Sequence, residues 1–183
     1  GGEEYWGYSW TKGYFISNAY LTGSAYNEYE VEEKSDGTYM LITLRETEVS
    51  RGGKPVYLLL KKVDSNKYSA ESIARKDDIE KPFINDERII GKWISHSFLG
   101  AEWEEADFPG EREPEDDLYF KELYFFPDGG AKCVYADAVF EGEDTFGNEG
   151  ETLDYTTNNN IDVSKYPNQQ IRIDKAGTYR IYG

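Results

Sequence analysis

His96 and Cys133 are the only histidine and the only cysteine among 183 residues, and that scarcity limits the chemistry this sequence can hold. A lone histidine between Ile94 and Phe98 reads as an ordinary strand residue. It has no second histidine or cysteine beside it to make a metal site, and no arrangement that suggests a Ser-His-Asp base. One cysteine excludes an intrachain disulfide and a thiolate metal cluster. Carboxylates are abundant, 36 in all, so pairs within glycosidase reach arise by accident. Glu122 is the most interesting single acid because it interrupts the aromatic run Leu118 to Phe126. Enclosed by a barrel it could do acid chemistry or touch a ligand; the plainer reading is an outward or mouth-facing charge. Two acidic stretches, Glu102 to Asp117 and Glu141 to Glu151, hold oxygen atoms of the kind that bind Ca²⁺. Their spacing is not that of the helix-loop-helix calcium loop, and both read as solvated loops. Gly52-Gly53-Lys54 runs into Pro55 and a strand rather than a helix N-terminus, so it is no phosphate cradle. The expectation is a protein with no catalytic residue, no metal and no cofactor.

The aromatics offer more. They make up 16% of the chain, with 16 tyrosines, and Tyr5, Trp6, Tyr8, Trp10 and Tyr14 crowd its first two strands. Pointing inward, alternate members could line a pocket for a flat or apolar small molecule. Pointing outward, they could stack on sugar rings as carbohydrate-binding modules do. A core filled by its own large side chains is the third reading, common in small barrels. The candidate ligand contacts are Trp6, Tyr8, Trp10, Tyr14, Trp93 and Glu122. The net charge of −16 repels phosphate backbones and anionic membranes, so nucleic acid is not an expected partner. Lys61-Lys62, the nearest basic candidate, is ordinary solvated charge. The longest apolar run, Val56 to Leu60, is far too short to span a bilayer.

Positioning such residues falls to strands. Glu28 to Glu32 alternates charged and apolar residues, and Ser35-Asp36-Gly37 is a hairpin signal leading into Thr38 to Leu44. Arg51 to Pro55 turns the chain into Val56 to Val63, which completes an antiparallel meander. Residues 64–80 break the pattern as a linker or short helix, with Ser69 as N-cap of a candidate helix to Lys76. Ile89-Ile90-Gly91-Lys92-Trp93 is a turn feeding a strand that continues to Phe98. Leu118 to Phe126 is apolar on both faces apart from Lys121 and Glu122, which predicts a central strand. It is closed by a Pro127-Asp128-Gly129-Gly130 turn. Lys132 to Phe140 follows, then a polar excursion over Glu141 to Asn160, then Gln170 to Asp174 and Tyr179 to Tyr182.

Two parts of the chain can be laid over each other. Gly1-Gly2 and its aromatic strand match Gly129-Gly130 and Lys132 to Phe140. Tyr29 to Val31 with Asp36-Gly37-Thr38-Tyr39 matches Ile171 to Ile173 with Ala176-Gly177-Thr178-Tyr179. The first copy lacks its beginning and the second its end, as in an excerpt from a tandem array. Residues 1–63 would then be the C-terminal strands of one repeat and 81–183 the N-terminal strands of a second, together able to close one circularly permuted barrel. Burial favours closure, since two half-barrels would each expose an apolar face and a sheet edge.

Pro82-Phe83-Ile84-Asn85-Asp86, Gly91-Lys92-Trp93, Asp117 to Gly129, Trp10-Thr11-Lys12-Gly13 and Gly53-Lys54-Pro55 with Tyr57 to Val63 carry a family resemblance. In combination they resemble a lipocalin-like β domain, found at the C-terminus of membrane antirepressor proteins of Gram-positive bacteria and in some regulators. The order of the pieces is rotated relative to that family. The resemblance implies an all-β, antiparallel up-and-down barrel with Trp93 packed across one end, and it transfers no ligand and no catalytic residue. The expected protein is a non-catalytic binding or sensing module of a larger bacterial protein, with a lean to the extracytoplasmic side. Its partner would be a small apolar or aromatic molecule or another protein. A carbohydrate-binding module of a secreted enzyme is the alternative.

Overall fold

The computed structural model describes residues 7–19, 23–44, 56–68, 81–99, 120–136, 152–157, 161–166, 169–174 and 176–182. Eight strands follow one another as an antiparallel meander: β1 (Gly7–Thr11), β2 (Tyr14–Ala19), β3 (Gly23–Lys34), β4 (Gly37–Leu44), β5 (Val56–Asp64), β6 (Gly91–Leu99), β7 (Phe120–Phe125) and β8 (Gly130–Ala136). β1 returns to β8 through Tyr8↔Ala131 and Ser9↔Gly130, and the Trp10 amide donates to the Gly129 carbonyl at 2.8 Å. The sheet thus closes into an eight-stranded up-and-down barrel. The closure joins the first strand to one from residues 81–183, and it removes the edges that an open meander would expose.

Alternation along the strands sorts the side chains into an inner and an outer set. The inner set holds Trp10, Phe15, Tyr29, Met40, Ile42, Leu58, Leu60, Trp93, Leu123, Phe125 and Cys133, all buried in one core. Trp10, Phe15 and Trp93 meet Phe125 edge to face with ring centroids 6.0–6.5 Å apart, so these rings occupy the lumen at their level.

In a closed meander every second connection lies at the same end. The β1–β2, β3–β4, β5–β6 and β7–β8 connections share one end, and residues 82–90 cross it. Thr11 fixes the start of this crossing segment, its hydroxyl accepting from the Ile84 amide at 2.8 Å and donating to the Pro82 carbonyl at 3.1 Å. Further along, the Trp93 indole donates to the Ile89 carbonyl at 2.8 Å, and Phe83, Ile89 and Ile90 join the barrel core. That end is closed. Gly91 opens β6 at φ +135, and a Cβ there would sit 2.1 Å from the Asp64 carbonyl oxygen. Gly91→Ala is expected to cost about 2–3 kcal/mol through backbone strain and this collision. A urea midpoint unchanged from the parent would contradict the tight approach.

Asp86 pins the middle of the same segment. Its buried carboxylate accepts from the Tyr29 hydroxyl at 2.8 Å and from the Arg88 guanidinium at 2.8 and 2.9 Å. The Arg88 hydrogen bonds hold the carboxyl below its ordinary 3.8, against burial and with help from Tyr29. Stability from a carboxyl depressed by folding is complete above the ordinary value and is lost as pH falls through the depressed one. Asp86→Asn is therefore expected to flatten the loss of stability below about pH 4, read from urea midpoints across that range. An unchanged acid limb would show that the Asp86 cluster carries no pH dependence.

Beyond the barrel the sheet forks. The edge of β8 that meets β1 at Gly130 and Ala131 meets β10 (Gln170–Ile173) from Val134 to Ala136, in parallel. β11 (Tyr179–Tyr182) pairs with β10, and β9 (Thr152–Thr157) pairs with β11 as the outermost strand. β10, β11 and the 3-10 turn Val163–Lys165 cover the outer face of β7 and β8. Tyr124, Phe126, Val134, Ile161, Val163, Ile171, Tyr179 and Ile181 form this second core. β7 is consequently buried on both faces, as its composition predicts. β9 lies inside the stretch expected to be a polar excursion; its threonines and Tyr155 suit a strand despite the polar setting. The candidate helix from Ser69 and the acidic stretch before Asp117 fall outside the described residues.

Candidate functional site

The opposite end of the barrel, where β2–β3, β4–β5 and β6–β7 connect, has inward residues of a different kind. Tyr8 pairs with Ser17, and Phe15 with both Trp10 and Asn27, so these side chains share the inner face, Phe15 and Asn27 at the level of Trp10 and Tyr8 and Ser17 one level beyond it. The Tyr8 ring stacks on Phe15 at 5.3 Å and meets the edge of Phe120 at 5.8 Å. Phe120 lies against Tyr135 at 5.8 Å, and the hydroxyls of Tyr135 and Tyr8 are 2.9 Å apart, the first donating to the second. Asn27 is 2% exposed and donates to the Phe15 carbonyl at 3.2 Å and to the Ser17 hydroxyl at 3.4 Å. The Ser95 hydroxyl donates to the Phe120 carbonyl. Four aromatic rings with hydroxyl and amide groups among them make a cluster that is apolar in area and polar at a few points. That is the usual make-up of a small-molecule site.

The residues expected to touch a ligand divide between this end and other places. Tyr8 belongs to it. Trp10 and Trp93 do not: both are 0% exposed and their indole N–H groups are committed to the backbone carbonyls of Phe126 and Ile89. A Trp10 so placed cannot stack on a sugar ring. Tyr14 is on the outer face, edge-on to Tyr26 at 6.0 Å, with the Lys81 ammonium 4.5 Å from its ring centre. Trp6 falls outside the described residues. His96 is exposed and edge-on to Tyr39 at 5.8 Å.

Glu122 lies on the outer face of the barrel wall, the plainer of its two readings, but buried rather than solvated. The register shifts between Phe120 and Glu122, so Phe120 faces inward with Leu123 and Phe125 while Glu122 faces outward with Tyr124. There the extension covers it. Its carboxylate accepts from the Tyr124 hydroxyl at 3.0 Å and the Tyr179 hydroxyl at 2.5 Å, with the Lys92 ammonium at 3.3 Å. Burial, and then the Glu122 charge, push the Tyr124 hydroxyl far above its ordinary value; burial and the Glu122 hydrogen bond do the same for Tyr179. This constellation ties the extension to the barrel wall. Lys132, on the same outer face, donates to the carbonyls of Tyr166 at 2.9 Å and Gln169 at 2.7 Å, and burial brings its ammonium down to about 8. Cys133 is buried in the barrel core with its thiol pushed well up by desolvation, which keeps it protonated and unreactive.

Asn27, Ser17, Phe120 and Tyr135 are the members of this cluster that residue types alone do not single out. The signal for Tyr135 was present in the strand following Gly130; Asn27 sits outside the alternating stretch Glu28 to Glu32 and became legible only when β3 proved longer. Among the described residues no three His, Cys, Asp or Glu side chains gather as metal ligands, and no helix is long and apolar enough to cross a membrane. No family model, curated protein or solved structure matches the chain.

Proposed function

We propose that the barrel is a non-catalytic binding or sensing module that takes a small apolar or aromatic molecule at the end opposite residues 82–90. The observation that carries this reading is the hydroxyl pair Tyr8–Tyr135 set over the rings of Phe15 and Phe120. Residues 82–90 cross the other end of the barrel, so this polar-on-aromatic cluster lies away from the crossing segment. The resemblance to the C-terminal module of membrane antirepressors supports an accessory role in a larger bacterial protein, in which occupancy is passed on as a signal.

The test is a fluorescence titration with 2-naphthamide, a flat neutral probe. Trp10 and Trp93 lie in the layer beneath and report its arrival. Ser17→Trp, which places a large side chain on the inner face beside Tyr8, is expected to weaken binding by about tenfold or more while leaving the closed end intact. Equal binding by parent and variant would place the probe elsewhere and sink the reading.

A further inference from the structure

We infer that the outer wall of the barrel carries a separate site, a cage for a small quaternary ammonium compound, built from Tyr14 and Tyr26 and filled by the chain's own Lys81. This goes beyond the binding reading above, which concerns the inner face. Phe15 faces the core, so its neighbours Tyr14 and Ile16 point outward from β2. Tyr14 pairs with Glu28 and Ile16 with Tyr26, so these side chains mark the corners of one outer square. The tyrosines stand on one diagonal, a separation that aromatic side chains can bridge. Their rings meet at 6.0 Å and 90°, as two walls of a box. The Lys81 ammonium lies over both, 4.5 Å from the Tyr14 centroid and 5.9 Å from that of Tyr26. Both distances are within reach of the attraction between a cation and the negative face of a ring.

The surroundings favour a cation as well. Glu28 is exposed and sets a carboxylate at the corner next to Tyr14, while Ile16 is buried and gives the square an apolar corner. The net charge of −16 draws cations toward the whole molecule. Ring faces, a carboxylate and an apolar contact together suit an ammonium group clothed in methyls. Lys81 is the built-in occupant. Its backbone is placed by the next residue, whose carbonyl accepts from the Thr11 hydroxyl at 3.1 Å, and its side chain is exposed. The long flexible stem lets the ammonium leave without moving that anchor, and its strong hydration rewards leaving. A quaternary ammonium ion has no N–H to hydrate and loses less on entering the cage. A phosphocholine headgroup brings a phosphate that this chain repels, so a free compound fits better than a lipid surface.

The experiment titrates the labelled protein with choline and with 3,3-dimethyl-1-butanol, the same shape without the charge, and follows amide shifts. Choline is expected to move Tyr14, Tyr26 and Glu28, with affinity about fivefold or more above that of the alcohol. Lys81→Ala, an exposed substitution, empties the cage and should tighten choline by about threefold or more. Tyr14→Ala in that background should bring choline down to the level of the alcohol; if it fails to fold, Tyr26→Leu supplies the same comparison. Phosphocholine should bind more weakly than choline, and equal or tighter binding would overturn the choice of a free compound. Choline and the alcohol binding alike after Lys81→Ala, or choline shifts centred away from Tyr14 and Tyr26, would overturn the cage. Unchanged choline affinity on losing the lysine would overturn its role as occupant.

Discussion

Trp10→Ala is expected to cost about 3–5 kcal/mol of folding stability, the range for removing a fully buried tryptophan. The side chain is 0% exposed and meets Phe83 edge-on at 5.0 Å and Phe125 at 6.5 Å. It therefore links the first strand to the crossing segment and to the last strands of the barrel. Its indole N–H donates to the Phe126 carbonyl at 2.8 Å, and its own amide donates to Gly129. Both bonds reach the β7–β8 turn, where the meander closes on itself. Packing outweighs the indole bond in this total. Trp10→Phe keeps most of the volume and loses only the donor, so it should cost about 1–2 kcal/mol. Urea unfolding of the two variants separates the terms. A Trp10→Ala loss below about 1 kcal/mol would mean that the closure does not depend on this residue.

Glu122→Ala should be nearly as severe, about 3–5 kcal/mol, because it breaks a buried ion pair from one side. Lys92 and Glu122 are 14% and 9% exposed at their side chains. Truncation leaves the ammonium without its counter-charge and takes the acceptor from the hydroxyls of Tyr124 and Tyr179. Tyr179→Phe removes one donor and is expected to cost about 1–2 kcal/mol. Glu122→Gln keeps an acceptor and should fall between the two. The cost should appear chiefly as loosening of residues 161–182 from the barrel, visible as faster amide exchange in β10 and β11. Exchange that quickens evenly over all strands would contradict the role of Glu122 as the tie between the layers.

Much of the barrel was legible because its local signals agree with one another. The alternation in Glu28 to Glu32 and Thr38 to Leu44, the Asp36-Gly37 turn and the Pro127 to Gly130 turn each specify one element, and the β3–β4 and β7–β8 pairs follow. The phrase around Trp93 specifies a turn into a strand, and its place at one end of the barrel came only from the family resemblance. The side on which Glu122 emerges was not legible. Strict alternation puts Glu122 and Tyr124 on the face of Phe120, and a single shifted register reverses that. Nor could local pattern assign the parallel pairing of β10 to β8, since partner choice between distant strands is set by burial of both and leaves no mark in either. Arg172 reads as the polar half of an alternating strand; only the fork in the sheet turns its face toward the barrel.

The most direct measurement is a chemical-shift map of the labelled protein titrated with 2-naphthamide. Binding at the end opposite residues 82–90 predicts that shifts gather at Tyr8, Asn27, Phe120 and Tyr135. Shifts centred on Tyr14 and Tyr26 of the outer wall, or spread thinly over the surface, would contradict it.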